Sequence, residues 1–196
     1  MDSDLPAREP ATILDQAASA RSDRSRAFEV FWRSLPKDGL IPHRRDLKPA
    51  RAGTLLRDIV MLEARLGESP SLRIRLLGSS VQERIQKNVT GQDYLDFRAS
   101  EYRAGTIEAT RRMLSRPCGL WQVMAMHYER GFAQNFELTA FPLLSDDADV
   151  PFILCLMTPV GGLVRARALD GRPILADTAT VFEYIDIGAE ESVGAL

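Results

Sequence analysis

The run Phe152-Ile153-Leu154-Cys155-Leu156-Met157 constrains this chain more than any other feature. Within the segment 151–158 it reads as a strand apolar on both faces, which belongs in the middle of a sheet with cover on each side. One apolar cover stands near the other end of the chain. Phe28, Phe31, Trp32 and Leu35 fall at i, i+3, i+4 and i+7, a single helical stripe that Pro36 and Gly39 terminate. Burying aromatics of that size is worth a few kcal/mol each, at about 25 cal/mol per Å². The stripe therefore caps either the chain's own sheet or that of a twin.

The remaining elements follow from periodicity. Residues 58–66 read as a strand with Val60, Leu62, Ala64 and Leu66 on one face, and Gly67 to Pro70 supply a turn. Leu72, Ile74 and Leu76 then alternate with Ser71, Arg73 and Arg75, which predicts a hairpin over 58–77 that ends at Gly78. Ser80 with Glu83 has capping-box spacing and opens a short helix carrying Val81 and Ile85, stopped by Asn88 to Gly91. A longer helix runs from about 100 to 116 with Tyr102, Ile107, Met113 and Leu114 inward, and Pro117 ends it. Strands over 119–129 and 132–143 precede the apolar one. In the second of these Phe132, Phe136, Leu138 and Ala140 alternate with Ala133, Asn135, Glu137 and Thr139, the pattern of a half-buried strand. A further amphipathic strand is expected from Val181 to Ile187. The Ile41 to Pro49 stretch holds two prolines and reads as a loop. The first residues form either a weak helix (Ile13, Leu14, Ala17, Ala18) or a frayed tail.

Strand, strand, short helix, longer helix and three more strands is an α+β order: a five-stranded antiparallel sheet with helices over one face. The division follows as a tail over 1–21, a helix and basic loop over 22–57, a core over 58–160, and an acidic extension over 161–196.

Charge and cysteine content exclude several functions. The net charge of -2 gives no bulk field for a polyanion. Residues 21–57 hold ten basic against four acidic side chains, a local +6, and residues 144–196 hold three against nine, a local -6. That polarity fits self-docking, a charged partner surface or two solvated flanks; nucleic-acid binding through the basic segment is the weakest use of it. Two cysteines, Cys118 and Cys155, make neither a disulfide framework nor a zinc site. With no apolar leader and no run long enough to span a membrane, the expected location is the cytoplasm.

The order of elements, with Gly78-Ser79 at a strand end, the loop Thr90-Gly91-Gln92-Asp93-Tyr94-Leu95 and the strand end Ala140-Phe141-Pro142-Leu143, resembles the PAS sensor domain family over roughly residues 28–160. The opening resembles a stand-alone bacterial single-PAS subfamily, with Phe31-Trp32, Leu35-Pro36 and Pro42-His43-Arg44-Arg45-Asp46-Leu47-Lys48-Pro49. The resemblance implies a non-catalytic sensory or interaction module with a ligand cavity between sheet and helices. It also implies an N-terminal helix that docks on the sheet or mediates a homodimer, here through Phe28, Phe31, Trp32 and Leu35. Fewer residues follow Val160 than a domain needs, so the output is expected to be contact with a regulatory partner protein.

Candidate pocket residues, by type and placement, are Tyr102, Met113, Trp121, Met124, Met126, His127 and Phe136; each is equally at home in a filled core. No cofactor is identified. Cys118 lacks the motif that flavin-adduct chemistry needs, no histidine has companions at metal-ligand spacing, and Asp146, Asp147 and Asp149 read as a solvated turn rather than a calcium loop. No GxSxG, HExxH or phosphate-cradling Gly-Lys-Ser/Thr occurs. The competing enzyme reading is an isomerase or dehydratase on a curved sheet, with His127 paired to Glu129 or Glu137.

Overall fold

The computed structural model describes residues 20–146, 150–169 and 171–189. The segment around Ile13 to Ala18, read as a weak helix or a frayed tail, and Asp147 and Asp149 of the acidic turn lie outside them. Helices α1 (Asp23–Arg33), α2 (Pro49–Ala52), α3 (Ser79–Ile85) and α4 (Ser100–Ser115) accompany strands β1 (Ile59–Arg65), β2 (Ser71–Leu77), β3 (Gly119–Tyr128), β4 (Phe132–Leu143), β5 (Phe152–Arg165) and β6 (Ile174–Ile185). The sheet is antiparallel throughout, in the order β2-β1-β5-β4-β3-β6.

The apolar run lies mid-sheet, as its two-faced pattern requires. Ile153, Cys155 and Met157 join the core beneath α3 and α4, while Phe152, Leu154 and Leu156 join a second core beneath α1. The sheet is thus a middle layer, and α1 supplies the cover on its far side.

Several expectations need correction. The sheet has six strands rather than five, because the extension enters it at Ile174, earlier than Val181, and β5 continues to Arg165. Leu76 leaves the face of Leu72 and Ile74: the β1–β2 register shifts between Met61 and Leu62, so Leu77 takes the inner face and Leu76 packs toward α1. Ser80 and Glu83 form no capping box. The helix starts at Ser79 with Gly78 as its N-cap and no side-chain cap. Gly78 is required by close approach, since a Cβ there would lie 2.4 Å from the Arg57 carbonyl oxygen. β4 is not half-buried. Asn135, Glu137 and Thr139 are all buried, the last two because α1 lies over the face that alternation assigned to water, while Phe132 at the strand end is 40% exposed.

The proline-containing loop is pinned to the sheet. Arg44 N donates to Leu144 O (2.8 Å) and Leu144 N to Pro42 O (2.9 Å), and Pro49 opens α2 at a position where its missing N–H costs nothing. Much of the basic segment is internally neutralised. Arg21 and Arg33 both pair with Glu29 (2.6 and 2.8 Å), Arg24 and Arg84 both pair with Asp58 (2.7 Å each), and Arg45 pairs with Asp146 (3.2 Å).

Candidate functional site

The core beneath α3 and α4 is incompletely filled. It holds a partly open cavity of about 400 Å³, inside the range of small-molecule sites. The floor is the inner face of the sheet, including Leu62, Leu138, Ile153 and Met157; Val81 and Ile85 of α3 close one side, and Ala179 and Phe182 of β6 another. The sequence of α4 explains the void. Its sheet-facing stripe runs Tyr102, Gly105, Thr106, Ala109, Thr110, Met113, so large side chains stand at the ends and small ones in the middle. Facing alanines at 140 and 179 leave the same volume open.

The polar groups of the wall are few. Thr110 Oγ1 donates back to the Thr106 carbonyl (2.9 Å), and Thr106 Oγ1 to that of Tyr102 (3.0 Å), so both threonines present mainly their methyl groups. Arg98 is 6% exposed, and its guanidinium is held by neutral groups, the Tyr94 phenol among them. Nε donates to Thr106 Oγ1 (3.1 Å), while Nη1 donates to the Asp177 carbonyl and contacts Met124 Sδ (3.5 Å). Tyr102 lies beneath it with 5.8 Å to the ring centroid. Burial raises the Tyr94 phenol above its usual value, partly offset by Arg98. Burial also pushes the Cys155 thiol on the floor up to about 12, leaving it neutral and a poor nucleophile.

Of the predicted pocket residues, Tyr102, Met113 and Met126 line the cavity. Met124 and Phe136 pair across β3 and β4 in the same core but are not part of the wall. Trp121 and His127 do not belong there. Both occupy odd-numbered positions of β3, and the two-residue period of a strand turns them to the face opposite Met124 and Met126. Trp121 packs in the core under α1, and His127 Nε2 lies 3.8 Å from Asp177 Oδ2. The acid–base pair of the enzyme reading is not assembled: Glu129 pairs with Lys87 (2.7 Å), and Glu137 is held beneath α1. Sequence reasoning missed Arg98, Thr106, Thr110 and Cys155 as wall residues, and Cys118 is not among them.

The other face carries the docked helix. The Trp32 ring stacks on Phe141 with centroids 4.9 Å apart, and its Nε1 donates to Pro142 O (2.9 Å). Phe28, Phe31 and Leu35 are buried beside it, so all four stripe residues are used within the chain and none is left to face a twin. At the start of α1 the Glu137 carboxylate accepts from Ser22 N (2.8 Å), Ser22 Oγ and Trp121 Nε1 (2.7 Å), and the Ser25 and Thr139 hydroxyls share a hydrogen bond of 2.6 Å. The far end is tied to the extension, where Arg33 donates to Asp186 O (2.7 Å) and Ile185 and Ile187 enter the same core.

A family model described as a PAS domain matches residues 20–158. Among solved structures, a fungal LOV domain photoreceptor is 13% identical, with a TM-score of 0.43 over 69% of this chain and 90% of that one. An RNA-binding light-oxygen-voltage receptor is 17% identical, with a TM-score of 0.43 over 76% of this chain; the match spans 47% of the receptor. No curated protein matches.

Proposed function

Because this chain belongs to the PAS domain family, we propose that it is a sensory module that takes a small ligand into the cavity beneath α3 and α4 and passes the signal on by contact with another protein. The observation that carries this reading is the cavity itself. A chain that fills the opposite core with Trp32, Phe28 and Phe141 leaves about 400 Å³ open under a helix whose central residues are small. A packed interior without purpose would be expected to close such a void, since each unfilled methyl-sized space costs stability.

In this reading residues 58–160 are the sensing core, and the flanking segments are its reporters. β6 reaches both sites: Ala179 and Phe182 stand at the cavity, while Ile185 and the Asp186 carbonyl meet α1. A ligand that displaces β6 therefore has a mechanical route to the helix, with an effect limited by its differential affinity for the two packings. The Phe31-Trp32, Leu35-Pro36 and Pro42 to Pro49 opening supports placing the chain in the stand-alone bacterial subfamily, where a separate partner carries the output.

Native mass spectrometry of the purified protein, with absorbance read between 350 and 500 nm, tests the reading and reports the oligomeric state. Retention of a small molecule that is released on denaturation is the expected result. A bare protein whose melting temperature no small-molecule library shifts would overturn it.

A further inference from the structure

Resting on that reading, we infer that the ligand is an amphipathic carboxylic acid, bound as its anion with the apolar body on the sheet floor and the carboxylate at Arg98. The wall is apolar apart from a small cluster of polar groups, and within that cluster Arg98 is the buried charge. Arginine stays protonated whatever its surroundings, so burial cannot neutralise it. A buried cation is ordinarily compensated by a carboxylate. Here the guanidinium meets the Thr106 hydroxyl, the Tyr94 phenol, a backbone carbonyl and a thioether, and among the described residues it forms no ion pair with a carboxylate.

The surroundings reinforce the same sign. α4 begins at Ser100, beside Arg98, and its N-cap Ala99 supplies no side-chain acceptor to the first-turn N–H groups. The one acid among the described residues of the wall, Glu101, is exposed in the first turn of α4, where it accepts from Ser100 Oγ (3.1 Å). Positive charge thus lies inside and negative charge toward water. With Nε and Nη1 engaged by neutral acceptors, Nη2 is left to donate to the anion, and one such group with no second buried cation among the described residues of the wall favours an acid with a single anionic head over a diacid.

The test compares three probes of equal chain length, decanoate, decanol and decylammonium, by isothermal titration calorimetry against the full chain below their micellar concentrations. Decanoate is expected to bind at least about ten-fold more tightly than decanol, with decylammonium weakest. Arg98→Met is expected to bring decanoate down to the level of decanol while decanol binding persists, and Arg98→Lys to retain the preference. If Arg98→Met does not fold, the wild-type ranking and Arg98→Lys decide. Decanol equalling or exceeding decanoate in the wild-type protein overturns the ligand class but leaves the cavity reading standing. Failure of all three probes overturns the ligand class, whereas the cavity reading falls only if the bare protein is also shifted by nothing in the small-molecule library.

Discussion

Trp121 Nε1 donates a 2.7 Å hydrogen bond to the Glu137 carboxylate, diagonally across β3 and β4, on the face of the sheet that α1 covers. The same carboxylate accepts from the backbone and hydroxyl of Ser22, the N-cap of α1, so a single 2% exposed side chain links the middle of the sheet to the start of the covering helix. An acid in that position specifies the seat of the helix, because the donors converge on it and have no alternative partner once water is excluded.

Glu137→Leu is accordingly expected to cost more than the loss of one hydrogen bond. It leaves the Trp121 and Ser22 donors buried without an acceptor, at about 1–3 kcal/mol for each group stranded. Glu137→Gln keeps one acceptor oxygen but turns an amide toward a donor, and is expected to fall between the two. Urea unfolding monitored by far-UV circular dichroism checks the order; equal stability of all three proteins would contradict it.

Trp32→Phe preserves much of the stack on Phe141 but strands the Pro142 carbonyl, and a loss of about 1–3 kcal/mol is expected. Trp32→Ala adds a large void and is expected to cost about 3–5 kcal/mol. Thermal denaturation of both variants measures the difference. Because Trp121 is the other tryptophan of the chain, Trp32→Phe also isolates its fluorescence as a probe of the seat of α1.

The sequence showed the large divisions of this fold because they rest on periodicity. The two-faced apolar run had to become a central strand, and the stripe Phe28, Phe31, Trp32, Leu35 had to cover something; both hold in the structure. What escaped was placement relative to a neighbour. Glu137 and Thr139 have the pattern of a wet face, and only the docking of α1 makes that face dry. Trp121 and His127 were legible but misread, since a period of two already separates them from Met124 and Met126. Arg98 offered no periodic signal: it sits between Phe97 and the start of α4, and its role comes from the distant Thr106 and Asp177 that converge on it.

Two glycines make opposite predictions. A Cβ at Gly119 would lie 2.3 Å from Cε1 of Phe141, a ring held by the stack on Trp32, so Gly119→Ala is expected to destabilise by about 1–3 kcal/mol. Gly105, on the cavity side of α4, has nothing within 4 Å of such an atom. Gly105→Ala is therefore expected to stabilise by about 0.5–1 kcal/mol through helix propensity, while narrowing the cavity. Calorimetric melting of the pair gives the signs.

Glu63 predicts an acid-side loss of stability. A hydrogen bond from Arg65, with further attraction from Arg75 and Arg73, outweighs its burial and holds the carboxyl below the usual value of 4.5. A depressed acid contributes its full stabilisation above the unfolded value and loses it as pH falls through the folded one. Glu63→Gln is expected to flatten that part of the stability–pH curve and to leave the slope near neutrality unchanged. Arg65 and Arg75 are largely solvated, so the effect should shrink further in high salt.

The sixth strand lies beyond the residues that match the family, yet it completes both sites. Removing residues 166–196 would unpair β3 along Gly119 to Tyr128, take Ala179 and Phe182 from the cavity, and deprive Arg98 of the Asp177 carbonyl. It would also remove Ile185, Ile187 and the Asp186 contact from α1. An unpaired apolar edge of that length invites association, so the truncated chain is expected to melt earlier and to self-associate in proportion to its concentration. Analytical ultracentrifugation beside thermal melting measures both. A truncated protein that stays as stable as the full chain, with its oligomeric state unaltered, would mean that the core holds its cavity and its helix without the extension.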